Sequence, residues 1–220
     1  MRPWIERARA DAPDGDTLRL MQRGDEFSIR IAGGNELMNS RLGGSEEALA
    51  RLALDRLDAP APRVLIGGLG MGFTLREAQG RLGPDARITV AEIVPDLADW
   101  ARGDMAAVFD GCLDDPRVTL DLRDVRQAIA EGGWDAILLD VDNGPDGVTR
   151  PGNDALYSET GLRAARAALA PGGVLAVWSA HPAPAFTHRM ETAGFDTATE
   201  TVRAGRGRRG PKHVVWIGRR

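Results

Sequence analysis

The sequence predicts an α/β protein: a mostly parallel sheet covered by helices on both faces, with an antiparallel last strand and a small N-terminal β unit in front. Three observations carry this expectation. From Arg63 onward, short apolar runs alternate with helical patterns, as in consecutive βαβ units. Between the last two strand-like runs lies only "GRGRRGPK", too short for a crossover helix, so the final strand should run antiparallel. Ahead of the alternation, "TLRLMQRGDEFSIRI" contains two alternating runs joined by Gly24-Asp25, a hairpin signal.

In chain order, residues 1–44 read as the small hairpin unit and 45–220 as the main domain. "SEEALARLALDRL" opens the latter as a helix. Ser45 reads as its N-cap, Glu46 and Glu47 suit the positive helix start, and Leu49, Leu52, Ala53 and Leu57 share a face. "DAPAP" ends it, since proline cannot continue a helix. Then "RVLIG" (strand), "TLREAQGRL" (helix), "RITVAEI" (strand) and "PDLADWARG" (helix, proline in its first turn) follow. "RVTLDL" (strand), "VRQAIAEG" (helix), "DAILLDV" (buried strand) and "SETGLRAARAALA" (helix) come next. "GGVLAVWSA" (strand), "APAFTHRMETAG" (helix), "TATETVRA" and "HVVWIGR" (strands) complete the chain.

The bulk numbers exclude several classes. With 220 residues, 43% hydrophobic and 27% charged, the composition is that of a soluble globule able to bury a full core. One cysteine, Cys112, rules out an intrachain disulfide framework or a cysteine-only metal site. No ligand cluster suggests a metal. The N-terminus has no apolar segment of signal-peptide type and no run is long enough to span a membrane, so a cytoplasmic protein is expected. The net charge is −4, but beyond Glu200 there are only bases, Arg203, Arg206, Arg208, Arg209, Lys212, Arg219 and Arg220. This basic end reads as a solvated hairpin loop or a phosphate-binding patch. No aromatic is interleaved within the loop, which disfavours nucleic acid.

The chemistry is expected where the first parallel strand ends. "VLIGGLGMGFTLRE" sets Gly67 and then Gly68, Gly70 and Gly72 between strand and helix. Glycine permits a tight turn and close backbone approach to a ligand, although a plain packing turn uses it as well. Glu92 ends the next strand, about 20 residues on, where a carboxylate can accept both ribose hydroxyls. A P-loop would need G-K-[ST], which is absent, and a dinucleotide site would place the third glycine one residue later. A nucleoside without phosphate, such as an S-adenosyl sulfonium, fits the G-x-G-x-G spacing better. Asp124, just past the third strand, can meet an adenine amino group, cap the following helix, or do both.

With "VLIGGLGMGFTLRE", "ITVAEIVPDLADWAR", "DDPRVTLDLRDVRQAI", "WDAILLDVDNGP" and "ALAPGGVLAVWS", the chain resembles the spermidine synthase-like (polyamine synthase) group of the class I S-adenosylmethionine-dependent methyltransferase superfamily. "NELMNSRLGGSEEALA" resembles the segment that joins that group's N-terminal β unit to its Rossmann-like domain. The resemblance implies a Rossmann-like fold, an S-adenosyl cofactor, often a homodimer, and Asp140 in the position of the family's catalytic aspartate. Met38 and Asn39 would cover the cofactor. Two departures stand out. The family's glycine loop carries an aspartate that binds the amine of decarboxylated S-adenosylmethionine, and Gly70 stands there instead. The family's Tyr-His substrate motif is missing; the only tyrosine is Tyr157.

Asp140 would orient a cationic amine and take its proton, with Asp142 as a second catalytic acid. Loop-capping bonds are the competing explanation for both. Asn143, Tyr157 and His181 are candidate substrate contacts, while Trp178 and Trp216 read as packing residues. Because Gly70 removes the charge that would repel a carboxylate, the leading expectation is methyl transfer from S-adenosylmethionine to a small amine-bearing acceptor. The alternative is a spermidine synthase-type aminopropyltransferase using decarboxylated S-adenosylmethionine. A nonenzymatic module that kept the cofactor pocket is the third.

Overall fold

A computed structural model describes residues 2–13, 15–34, 36–141, 144–145, 155–205 and 210–220. The N-terminal unit is larger than a hairpin. Strands β1 (Ile5–Asp11), β2 (Thr17–Arg23), β3 (Glu26–Ile31) and β4 (Glu36–Asn39) form an antiparallel sheet in sequential order. The expected turn at Gly24-Asp25 joins β2 to β3, with Arg23 opposite Glu26. Too few alternating residues mark β1 and β4 for either to be read as a strand without its partner.

Helix α1 (Gly44–Leu54) leads into β5 (Arg63–Gly67), α2 (Phe73–Arg81), β6 (Arg87–Ala91), α3 (Pro95–Arg102), the short α4 (Ala106–Phe109) and β7 (Val118–Asp121). Then come α5 (Val125–Glu131), β8 (Trp134–Leu139), α6 (Glu159–Ala168), β9 (Leu169–Ser179), α7 (Pro184–Thr192), β10 (Asp196–Arg203) and β11 (Lys212–Arg219). The seven-stranded sheet has the order β10-β11-β9-β8-β5-β6-β7. Strands β5 through β9 pair in parallel, and β11 lies antiparallel between β9 and β10, as the short final connection requires.

Alternate residues of the central strands face opposite sides. On β8, Ala136 and Leu138 pack into a core with α1, α2 and α3, while Ile137 and Leu139 pack against α5, α6 and α7. Leu18, Leu20, Phe27 and Ile29 of the N-terminal sheet join the first of these cores. That sheet therefore lies on the α1–α3 side. An ion pair from Arg7 to Asp104, 2.8 Å, adds a polar tie at the surface.

One cap differs from expectation. The residue before α1 is Gly43, with no side-chain cap bond. Ser45 lies inside the first turn and is fully buried, so its hydroxyl is committed elsewhere. Asp124 does cap α5, accepting from the Arg126 N–H at 2.8 Å. Strand order reverses between β5 and β8, and in open sheets of this kind the crevice beyond the strand ends at that point holds ligands.

Candidate functional site

A cavity opens at this reversal. Its floor is the loop after β5 (Gly68, Gly70, Met71, Phe73) and the residues after β8 (Asp140, Val141). Its walls come from Glu92, Ile93 and Val94 after β6, and from Arg123, Asp124 and Val125 after β7. Leu18, Leu37 and Met38 of the N-terminal sheet close one side, and Glu46 of α1 and Trp178 at the end of β9 close another.

The glycine loop is clamped by the strands around it. The Gly68 N–H donates to the Ala91 carbonyl at 2.8 Å, and the Asp140 N–H donates to the Gly67 carbonyl at 2.9 Å. At Gly68, φ is +90° and a Cβ would lie 2.4 Å from the Asp140 carbonyl oxygen, so both conformation and space demand glycine. Gly70 is different. Its φ is +51°, and the nearest atom to an added Cβ would be the Met38 sulfur at 3.8 Å. Gly67 and Gly72 do not line the cavity; they leave room for Val125 and Phe109.

Glu92 is buried and held at both oxygens. Oε2 accepts from the Leu69 N–H and Oε1 from the Val94 N–H, each at 2.9 Å. These two backbone bonds fix the orientation of the carboxylate at the cavity wall. Asp124 caps α5 as expected and lines the cavity as well. Its carboxyl is held below the usual range by hydrogen bonding to Arg126.

Asp140 turns its Oδ2 to the Thr74 hydroxyl of α2, which donates at 2.6 Å. Across the cavity stands Glu46, which the sequence offered only as a charge at a helix start. Burial pushes Asp140 up to about 6, against the Thr74 bond that favours its charged form. Burial and then the Asp140 charge push Glu46 up to about 7. Two carboxylates in one cavity disfavour each other's charge, and they titrate as a pair. A cation placed between them would relieve both penalties.

The remaining expected contacts divide. Met38 lines the cavity, but Asn39 instead caps the following turn, its Oδ1 accepting from the Arg41 and Leu42 N–H groups. Tyr157 is buried away from the cavity, edge-on to Phe186, and its hydroxyl donates to the Val141 carbonyl at 3.0 Å. It supports the backbone beside Asp140 and is not among the described residues that line the cavity. His181 is exposed and does not line the cavity; its backbone exchanges hydrogen bonds with the Ser179 hydroxyl. Asp142 and Asn143 lie outside the described residues. Trp216 is a core residue whose Nε1 donates to Thr187. Trp178, expected only to pack, borders the cavity, and its buried Nε1 has no partner among the described residues. Glu46, Thr74 and Trp178 had no readable signal, because their service depends on where α1, α2 and β9 end in space.

The sheet order, with the glycine loop and Glu92 at the strand reversal, is that of the class I methyltransferase fold. By sequence and fold, the chain is similar to the spermidine synthase-like group of that superfamily. It is 30% identical over 168 residues to "Polyamine aminopropyltransferase" of Mycobacterium tuberculosis (strain ATCC 25618 / H37Rv), covering 74% of this chain and 31% of that one. It is 35% identical over 124 residues to "Polyamine aminopropyltransferase 1" of Pseudomonas aeruginosa, covering 56% and 41%. The chain thus spans about a third of the length of the first of these relatives. The structure of spermidine synthase from Thermotoga maritima superposes with a TM-score of 0.74 at 17% identity, covering 97% of this chain and 72% of that one. No protein-family model matches the chain. Among the described residues, no helix is long and apolar enough to cross a membrane.

These relatives overturn the expectation of methyl transfer. They carry the aminopropyltransferase name, and the structural neighbours are spermidine synthases. The expectation let position 70 decide the donor and gave no part to Glu46, which lines the same cavity as Asp140.

Proposed function

We propose that the chain is a spermidine synthase-type aminopropyltransferase acting on a cationic amine, with decarboxylated S-adenosylmethionine as the donor. The observation that carries this reading is the Glu46–Asp140 pair beside the glycine loop. The pair favours ammonium groups and disfavours carboxylates, which suits a donor that has lost its carboxylate. Glu92 would take the ribose hydroxyls and Asp124 the adenine edge, with Gly68 and Gly70 letting the backbone approach the nucleoside. Trp178 Nε1 is available to an acceptor atom of the ligand or to water. When bound, the donor supplies a carbon activated by the sulfonium.

The chain's own residues then do the positioning. Asp140, steadied by Thr74, would hold the acceptor ammonium in line with that carbon. Removing one proton frees the nitrogen lone pair for attack, and a carboxylate with a raised pKa is suited to accept that proton near neutral pH. The reading is tested by incubating the protein with decarboxylated S-adenosylmethionine and a panel of α,ω-diamines, and following methylthioadenosine by chromatography. Amine-dependent methylthioadenosine is expected, together with tighter calorimetric binding of the decarboxylated donor than of intact S-adenosylmethionine. Preference for the intact donor, or no product across the panel, would refute it.

A further inference from the structure

Glu46 is not the end of its hydrogen-bond line. Its Oε2 accepts from the Ser45 hydroxyl at 2.5 Å, and the same hydroxyl lies 2.8 Å from Nδ1 of His213 on β11. Ser45 is fully buried. His213 is partly exposed, with its ring edge-on to Trp178 at a centroid distance of 4.8 Å. Residues 168 positions apart thus connect a carboxylate that lines the cavity to a partly exposed imidazole on β11. Helix formation does not explain the link, since Ser45 makes no cap for α1. At the second residue of α1, no helical turn precedes Ser45 to offer its hydroxyl a carbonyl. Here it bridges two titratable groups.

We propose that Glu46, Ser45 and His213 form a proton relay that carries the proton of the attacking amine out of the cavity. The proposal rests on the aminopropyltransferase reading for the identity of the proton donor. In the first step the ammonium N–H bond breaks, the electron pair stays on nitrogen, and an O–H bond forms on Glu46. The Glu46 proton then passes to the Ser45 oxygen while the Ser45 proton passes to Nδ1 of His213, giving an imidazolium. Loss of the proton from Nε2 to water leaves neutral His213 with its proton on Nδ1, donating to Ser45, and Ser45 donating to the Glu46 carboxylate. The line is then reset, and one proton has left per turnover.

The groups facing the relay are Asp140 and Glu47 at the Glu46 end and His181 at the His213 end. Burial and the neighbouring His181 lower the pKa of His213, which keeps the imidazole neutral and able to accept.

Two measurements decide the proposal. In steady-state assays with decarboxylated S-adenosylmethionine and a diamine, Ser45→Ala and His213→Gln should each lower kcat about tenfold, with KM for the amine and methylthioadenosine affinity within about twofold of the wild type. The double variant should be no slower than either single one, because one break interrupts the line. Unchanged kcat, losses that multiply, or a rise in KM alone would overturn the relay. The second measurement needs no turnover: nitrogen-resolved NMR of the three histidines. Neutral His213 should carry its proton on Nδ1, and both Ser45→Ala and Glu46→Gln should shift its titration while leaving exposed His188 unmoved. A His213 insensitive to both substitutions overturns the relay even if the enzyme is active. If the wild type turns over no diamine, the functional reading fails, and this second measurement still decides whether the line exists.

Discussion

Replacing Asp140 with asparagine should make the protein more stable and less active, and the stability gain should depend on pH. Asp140 is pushed up to about 6 by burial. The folded protein therefore keeps a proton that the unfolded chain, titrating near 3.9, has already lost. Between those values each unit of pH costs the folded state about 1.4 kcal/mol, so this group lowers stability as pH rises from about 4 through 6. Asp140→Asn removes that cost. At pH 8 the gain should be on the order of 1–3 kcal/mol, the upper end being reduced because an amide is a weaker partner than a carboxylate for the Thr74 hydroxyl. At pH 4, where Asp140 is already protonated, the gain should vanish. Activity should move the other way. A charge-assisted hydrogen bond to the acceptor ammonium is worth about 1.5–3 kcal/mol, so kcat/KM should fall by about one to two orders of magnitude, with methylthioadenosine affinity nearly unchanged. Urea titrations at the two pH values, calorimetry and product assays measure all three quantities. A variant less stable than wild type at pH 8, or one that loses nucleoside binding in step with turnover, would refute the reasoning and make Asp140 part of the fold or of the nucleoside site.

Glu92→Ala should weaken methylthioadenosine binding by about 1.5–3 kcal/mol and, by stripping the Leu69 and Val94 N–H groups of their acceptor, cost about 2–4 kcal/mol of stability as well. Calorimetry below the variant's melting temperature separates the two effects, and full affinity in folded protein would remove Glu92 from the site. Gly70→Asp should fold, since aspartate tolerates φ near +51° and the nearest neighbour is the Met38 sulfur. Two like charges about 4 Å apart interact by about 4 kcal/mol at an effective dielectric of 20, so its preference for the decarboxylated over the intact donor should rise by at least about tenfold; an unchanged preference would place position 70 away from the donor chain. Amine binding should release protons, because a cation favours the charged forms of Glu46 and Asp140, whose pKa values burial has raised. Calorimetry in buffers of different ionisation enthalpy should show the release near pH 6–7 and its disappearance at higher pH. Binding heats independent of buffer would contradict a protonated pair.

The sequence determined the parts of the protein that follow from local physics. Alternation of apolar strands and helices, the short final connection, the Gly24-Asp25 turn and the Asp124 cap are each written in neighbouring residues. The glycine loop and Glu92 were legible for the same reason, since one strand end and the next strand end are neighbours in any parallel βαβ unit. Tertiary structure decided what faces the cavity. Tyr157 and His181 looked equally suited to a substrate, yet one is packed against Phe186 and the other is left exposed. Glu46 appeared to serve the start of a helix, and Ser45 its cap. The packing of α1 beside the ends of β8 and β11 turned the first toward Asp140 and the second toward His213. No pattern within a helix records which charged residue will lose its water to a distant strand end. That loss of solvent brings the carboxylates into interaction and raises their pKa values.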